Sequence, residues 1–150
     1  MKLAEALQER ADLNRRIAQL RERLENNAVV QEGETTAEDP AQLLDELDRD
    51  VARLEELMAR INRTNTETRD GAQSITDLIA RKDALRVQTE AYRGVVSAAS
   101  QIAHRAMRTE IKILSAVDVK ALQKKTDALS QELRRTDNRI QELNWKTELL

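Results

Sequence analysis

Ile61-Asn62-Arg63-Thr64-Asn65-Thr66-Glu67-Thr68-Arg69-Asp70-Gly71-Ala72-Gln73-Ser74-Ile75-Thr76-Asp77-Leu78-Ile79-Ala80-Arg81-Lys82-Asp83 is the stretch on which the fold turns. A helical pattern enters it and dissolves into amides and hydroxyls. The chain then turns at Asp70-Gly71 and restarts as a second helix. Asp-Gly is a strong turn signal. Ser74 followed three residues later by Asp77 makes a capping-box start, with the shorter Asp in place of Glu. Two long helices that meet across so short a connection are expected to lie antiparallel.

Outward from this stretch the same grammar repeats. Upstream, Asp39 can cap, Pro40 suits the first helical position, and Gln42 sits three after the cap, so a helix is predicted over 40–67. Its apolar seam reads Leu44, Leu47, Val51, Leu54, Met58, Ile61. Further upstream, Leu3, Ala6, Arg10, Leu13, Ile17, Leu20 and Leu24 step by three and four, which predicts a helix over 3–26. Asp12 and Arg16 are placed for an i,i+4 pair on its outer face. Downstream, Ile75, Leu78, Lys82, Leu85, Thr89, Tyr92, Val96 and Ala99 carry a helix predicted over 75–109. Its later part is rich in small residues, Gly94 and Ala98 among them, which is expected to mark a close helix–helix seam. The cleanest heptads lie over 119–148: Leu122, Thr126, Leu129, Leu133, Thr136, Ile140, Leu143 and Thr147.

These readings give an all-α class, a long antiparallel four-helix bundle with coiled-coil-like heptads, as a single domain over 1–150. Val29-Val30 and Ile111–Ile113 are β-prone. In an up-down-up-down path the 28–31 and 111–114 segments fall at one end and could pair as a small two-stranded cap. Leu7, Leu43, Leu57 and Ile79 widen the apolar stripes beyond strict a and d positions. Burial on two sides is the expected reason, so the chain is predicted to be a homo-oligomer, a dimer or higher.

Composition sets the exclusions. Leu, Ile and Val number 19, 8 and 8, enough for a core, whereas Trp145 and Tyr92 are the only aromatic residues. That balance favours helix over strand. The net charge of −2 is nearly neutral, which offers no clear nucleic-acid signature. No cysteine is present, so disulfides and thiolate metal sites are excluded. No run approaches about 18 apolar residues, so no membrane span is expected. Charges at Lys2 and Glu5 interrupt any signal-peptide pattern, which makes the cytoplasm the expected location.

No catalytic constellation emerges, and the chain is expected to be non-enzymatic, with no cofactor and no metal. The lone histidine, His104, has Gln101 three residues before it, so the Glu-x-x-His spacing of di-metal bundles is missing. Lys124, Lys125, Arg134, Arg135 and Arg139 read as a solvated basic face on the last helix, and Trp145 as a packing or interface anchor. The polar candidates are Arg60, Asn62, Thr64, Asn65, Arg81 and Asp83, expected to gather near the 66–74 turn, with Asn144 joining them. They could form a small-ligand or ion site, with Arg81 as the charge and the amides as orienting donors. A buried network that fixes helix register explains the same residues with fewer assumptions and is the preferred reading.

Leu3–Leu7, Val30–Glu34 with Ala37–Pro40, Arg60-Ile61-Asn62 with Thr64-Asn65, Leu78–Arg81 with Asp83, Glu110–Lys112, Val117–Val119 and Gln141–Trp145 together resemble a small bacterial family labelled septicolysin, otherwise of unknown function. The resemblance spans essentially the whole chain. Its label implies a membrane-active cytolysin, a third reading beside the interaction protein and the ligand-binding protein.

Overall fold

The computed structural model describes residues 1–101 and 111–150. Among these, the chain forms four helices and one minimal antiparallel sheet. Helix α1 spans Leu3–Asn26, α2 Pro40–Glu67, α3 Ile75–Ser100 and α4 Val119–Lys146. Strands β1, Arg69–Asp70, and β2, Gln73–Ser74, form a hairpin between α2 and α3.

Each helix starts where its capping chemistry says. The Lys2 amide donates to Glu5 Oε2 at 2.7 Å ahead of α1. Asp39 Oδ1 accepts from the Ala41 amide at 3.0 Å, with Pro40 as the first helical residue of α2. At α3 the box is reciprocal: the Asp77 amide donates to Ser74 Oγ at 3.1 Å and the Ser74 amide to Asp77 Oδ2 at 2.8 Å. Asp118 Oδ1 accepts from the Ala121 amide at 3.0 Å ahead of α4. The expected Asp70-Gly71 turn is a two-residue hairpin loop of Gly71-Ala72, with Asp70 closing β1. Gly71 takes φ +62°, which a first loop position with no Cβ reaches without cost.

The chain divides into two compact units: Met1–Arg69 with Leu143–Leu150, and Asp70–Glu142. In the first, α1 and α2 run antiparallel. Arg53 Nε donates to Glu9 Oε1 at 2.7 Å, Arg16 forks onto Asp50, and Arg23 grips Glu38 through Nε at 3.0 Å. The core holds Leu3, Ala6, Leu13 and Leu20 against Leu43, Leu57 and Ile61. Each such fully buried side chain contributes about 1.5–3 kcal/mol. Residues 143–150 close the unit. The Leu3 amide donates to the Thr147 carbonyl and the Leu149 amide to the Met1 carbonyl, both at 2.9 Å.

In the second unit α3 and α4 pair antiparallel along a narrow seam. Leu78, Leu85 and Thr89 are buried on α3, and Thr126, Leu129 and Ile140 on α4. Lys82 Nζ to Asp137 Oδ1 at 2.9 Å, Arg81 NH2 to Glu132 Oε1 at 2.5 Å and Arg93 NH2 to Ser130 Oγ at 3.1 Å set the register. Arg139 holds Asp70 through Nε at 2.7 Å at the hairpin end.

Four expectations change. First, the strands are not at 28–31 and 111–114. Both segments are irregular: Val29, Ile111 and Leu114 are largely exposed, and Ile113 and Leu114 line a groove with Val95 and Ala98 of α3 instead of pairing with a strand. Second, α3 ends at Ser100 rather than 109: the Gln101 amide turns back to the Ala98 carbonyl, and residues 102–110, with His104, lie outside the described residues. Third, α4 ends at Lys146 rather than 148, because Glu148 leaves the helix to bridge Lys2. Fourth, the buried seam of α2 is Leu43, Asp50, Leu57, Ile61 and Thr64. Leu44, Val51 and Met58 are rotated out. Arg16 decides this phase: instead of pairing with Asp12 it reaches Asp50 on the facing helix, while Arg15 takes Asp12.

Candidate functional site

The polar residues singled out from the sequence do not form one cluster of open side chains. Arg60 and Thr64 meet at the end of the first unit, where they hold the last residues of the chain. Arg60 Nε donates to the Leu150 carbonyl at 2.7 Å. Thr64 Oγ1 donates to the Arg60 carbonyl at 2.9 Å and accepts from the Leu150 amide at 3.0 Å. Asn144 is buried in the same unit. Asn65 is half-buried and Asn62 is exposed, its carbonyl accepting from Thr66 Oγ1 at 2.9 Å. Arg81 and Asp83 belong to the second unit. Arg81 is engaged by Glu132, and Asp83 is exposed beside Arg86 at 4.0 Å.

Electrostatics follow the same pairs. Glu9 is held below the usual carboxylate range by the hydrogen bond from Arg53, Glu38 by that from Arg23, and Asp70 by that from Arg139. Glu148 is lowered by Lys2 and then by the N-terminal ammonium. Each shift comes from a guanidinium or ammonium binding the ionised acid. A carboxyl tuned for proton transfer would have its pKa moved up towards the working pH, the opposite direction from these shifts. Among the described residues no group of three or more His, Asp or Glu side chains is placed to hold a metal ion.

Each unit also leaves an apolar stripe exposed among its charged surface residues. On α2, Leu44, Val51 and Met58 recur every seven residues, with 49%, 46% and 41% of their surface exposed. Asp48 and Glu55 flank them. On α3 the face opposite the buried seam reads Ala80, Ala84, Val87, Ala91, Gly94, Ala98, in steps of four, three, four, three and four. All six are exposed, and Val87 and the adjacent Val95 expose 69% and 45%. A Cβ added at Gly94 would meet nothing within 4 Å. Heptad spacing on an uncovered face is the geometry by which one helix receives another. Trp145 is also unburied, 63% exposed beside an open groove of about 360 Å³ lined by Glu5, Gln8, Glu9 and Asp12.

Apolar spacing alone puts the α2 stripe inside the core, and the small residues of α3 carry no mark of which face is buried. The signal for the outer face is in the spacing: two heptad registers run through 75–100, offset by half a turn of helix.

A family model described as a family of unknown function (DUF6847) matches residues 10–149. Among solved structures, a crystal structure of a functionally unknown conserved protein from Corynebacterium diphtheriae is 37% identical, with a TM-score of 0.91 over 100% of this chain and 99% of that one. No curated protein matches. The septicolysin resemblance gains no support from these comparisons. Among the described residues, no helix is long and apolar enough to cross a membrane.

Proposed function

We propose that this chain, which belongs to the DUF6847 family of unknown function, is a non-enzymatic interaction protein that self-associates through its helix faces. The observation that carries the reading is the second apolar stripe: after each unit has paired its own helices, α2 and α3 each keep a heptad-spaced apolar face open to solvent. Covering such a face removes apolar surface from water, worth about 25 cal/mol per Å² before the costs of association. The polar candidates support the same view. Arg60, Thr64 and Arg81 spend their hydrogen bonds on holding helices and the chain end in place.

The test is the mass of the full chain by sedimentation equilibrium from low to high micromolar concentration. An oligomer that dissociates on dilution is expected, and Val51→Glu and Val87→Glu should each be compared with it. A strict monomer at every concentration would sink the reading.

A further inference from the structure

We infer that the outer face of α3 is a homodimer interface in which a second copy of α3 packs antiparallel about a twofold axis near residue 88. This rests on the self-association proposed above and names its surface. The apolar part is the exposed line Ala80, Ala84, Val87, Ala91, Gly94 and Ala98. Small side chains there let two helix axes approach closely.

The argument for a second copy as occupant comes from charge. Asp83 and Glu90 border the line, and Arg86 and Arg93 lie further round the same side of the helix, within reach of it through their long side chains; all four are exposed. In an antiparallel twofold pair, like borders face each other, and residues mirror about the axis. Reflection about 88 places Asp83 against Arg93 of the second copy and Arg86 against Glu90 of the second copy. Symmetry then gives four opposite-charge pairs and no like-charge pair along that border. Within the chain these groups are lightly held. Arg86 sits 4.0 Å from Asp83, and Arg93 donates one bond to Ser130 Oγ at 3.1 Å. A twofold axis near residue 88 therefore sets opposite charges against each other along this side of α3.

The chain has no cysteine, so cross-linking is clean. Val87 lies next to the axis, and Val87→Cys is expected to give a disulfide-linked dimer under mild oxidation. Ala80 lies on the same face, but its mirror position is sixteen residues along the helix, about 24 Å away. Ala80→Cys should therefore stay monomeric on denaturing gels. Both sites are exposed, so folding is spared. In parallel, Arg93→Asp should raise the dimer dissociation constant at least about tenfold, since two attractive pairs become repulsive, and Asp83→Arg on top of it should restore association. If wild type self-associates but Val87→Cys does not cross-link, the α3 interface is wrong while the broader reading survives. Cross-linking at both positions would mean a parallel pair and overturn the register. A wild-type monomer at all concentrations would overturn both.

Discussion

Thr89→Val should make the protein more stable, and the size of the gain follows from one atom. Thr89 lies in the α3–α4 seam and is 1% exposed. Its Oγ1 is buried and has no hydrogen-bond partner among the described residues. An unpaired hydroxyl in an apolar setting costs about 1–3 kcal/mol relative to one left in water. Valine keeps the β-branched shape and a similar helix propensity, so packing and backbone terms nearly cancel. A gain of about 1–2 kcal/mol is expected. Thr126 supplies the internal control. It is buried in the same seam, yet its Oγ1 donates to the Leu122 carbonyl at 2.8 Å. Thr126→Val should therefore move stability much less, by about 0.5 kcal/mol or under. The assay is urea unfolding followed by far-ultraviolet circular dichroism, with Trp145 fluorescence as a second probe. With a slope of about 1–3 kcal/mol per M, the midpoint should rise by roughly 0.5–1 M at unchanged slope. The reasoning is refuted if Thr89→Val lowers the midpoint, or if the two valine variants behave alike.

Three other expectations are independent of that one. At concentrations low enough to keep the chain monomeric, Gly94→Ala should stabilise by about 1 kcal/mol in thermal melts, because within one chain the added methyl meets nothing and glycine is a poor helix former; a loss under those conditions would contradict the open face of α3. Asp50→Ala should destabilise by about 1–2 kcal/mol rather than the 3–5 of a fully buried pair, since the Arg16 side chain is 61% exposed and can hydrate. Asp50→Leu should be neutral or stabilising in the same melts, and a loss as large as that of Asp50→Ala would contradict the seam assignment. Glu9, Glu38, Asp70 and Glu148 all have folded pKa values below their unfolded ones. Their contribution is therefore present above the unfolded values, roughly pH 4, and lost as pH falls through the lower folded values. Urea midpoints should be flat between about pH 8 and 5 and drop below about pH 4, with a smaller drop for Arg139→Gln, which releases Asp70.

Helix starts were legible because they are written in local chemistry. Asp39-Pro40 and Ser74 with Asp77 satisfy exposed amides within a few residues, and no distant part of the chain is needed to decide them. The small sheet was harder. Val29-Val30 and Ile111–Ile113 have strand propensity but pair with no strand, whereas Arg69–Ser74 has little propensity and a hairpin turn that forces pairing. Tertiary context outweighed propensity in both places. The polar candidates were legible as residue types but not as partners. Thr64 and Arg60 bind residues 149 and 150, far along the chain, and Arg81 binds Glu132 on a helix that sequence spacing could not align with it.

The phase of α2 shows how a small misreading conceals a surface. Apolarity favours Val51 over Asp50 for the core, and a count of apolar residues chooses the 44/51/58 register. The fold chooses the other, one residue and about 100° away. Leu43, Leu57 and Ile61 fill it, and Arg16 supplies the charge that makes Asp50 acceptable there. Leu44, Val51 and Met58 are then surplus to the unit's own core. A helix that can fill its seam with an ion pair while keeping three large apolar residues outside has more apolar surface than its own unit uses. The same holds for α3, whose inner line includes half-buried Lys82 and a buried Thr89 with an unsatisfied hydroxyl, while Val87 and Val95 stand in solvent. Polar residues inside and apolar residues outside, on two helices consecutive in the chain, are the surface that the proposed self-association would use.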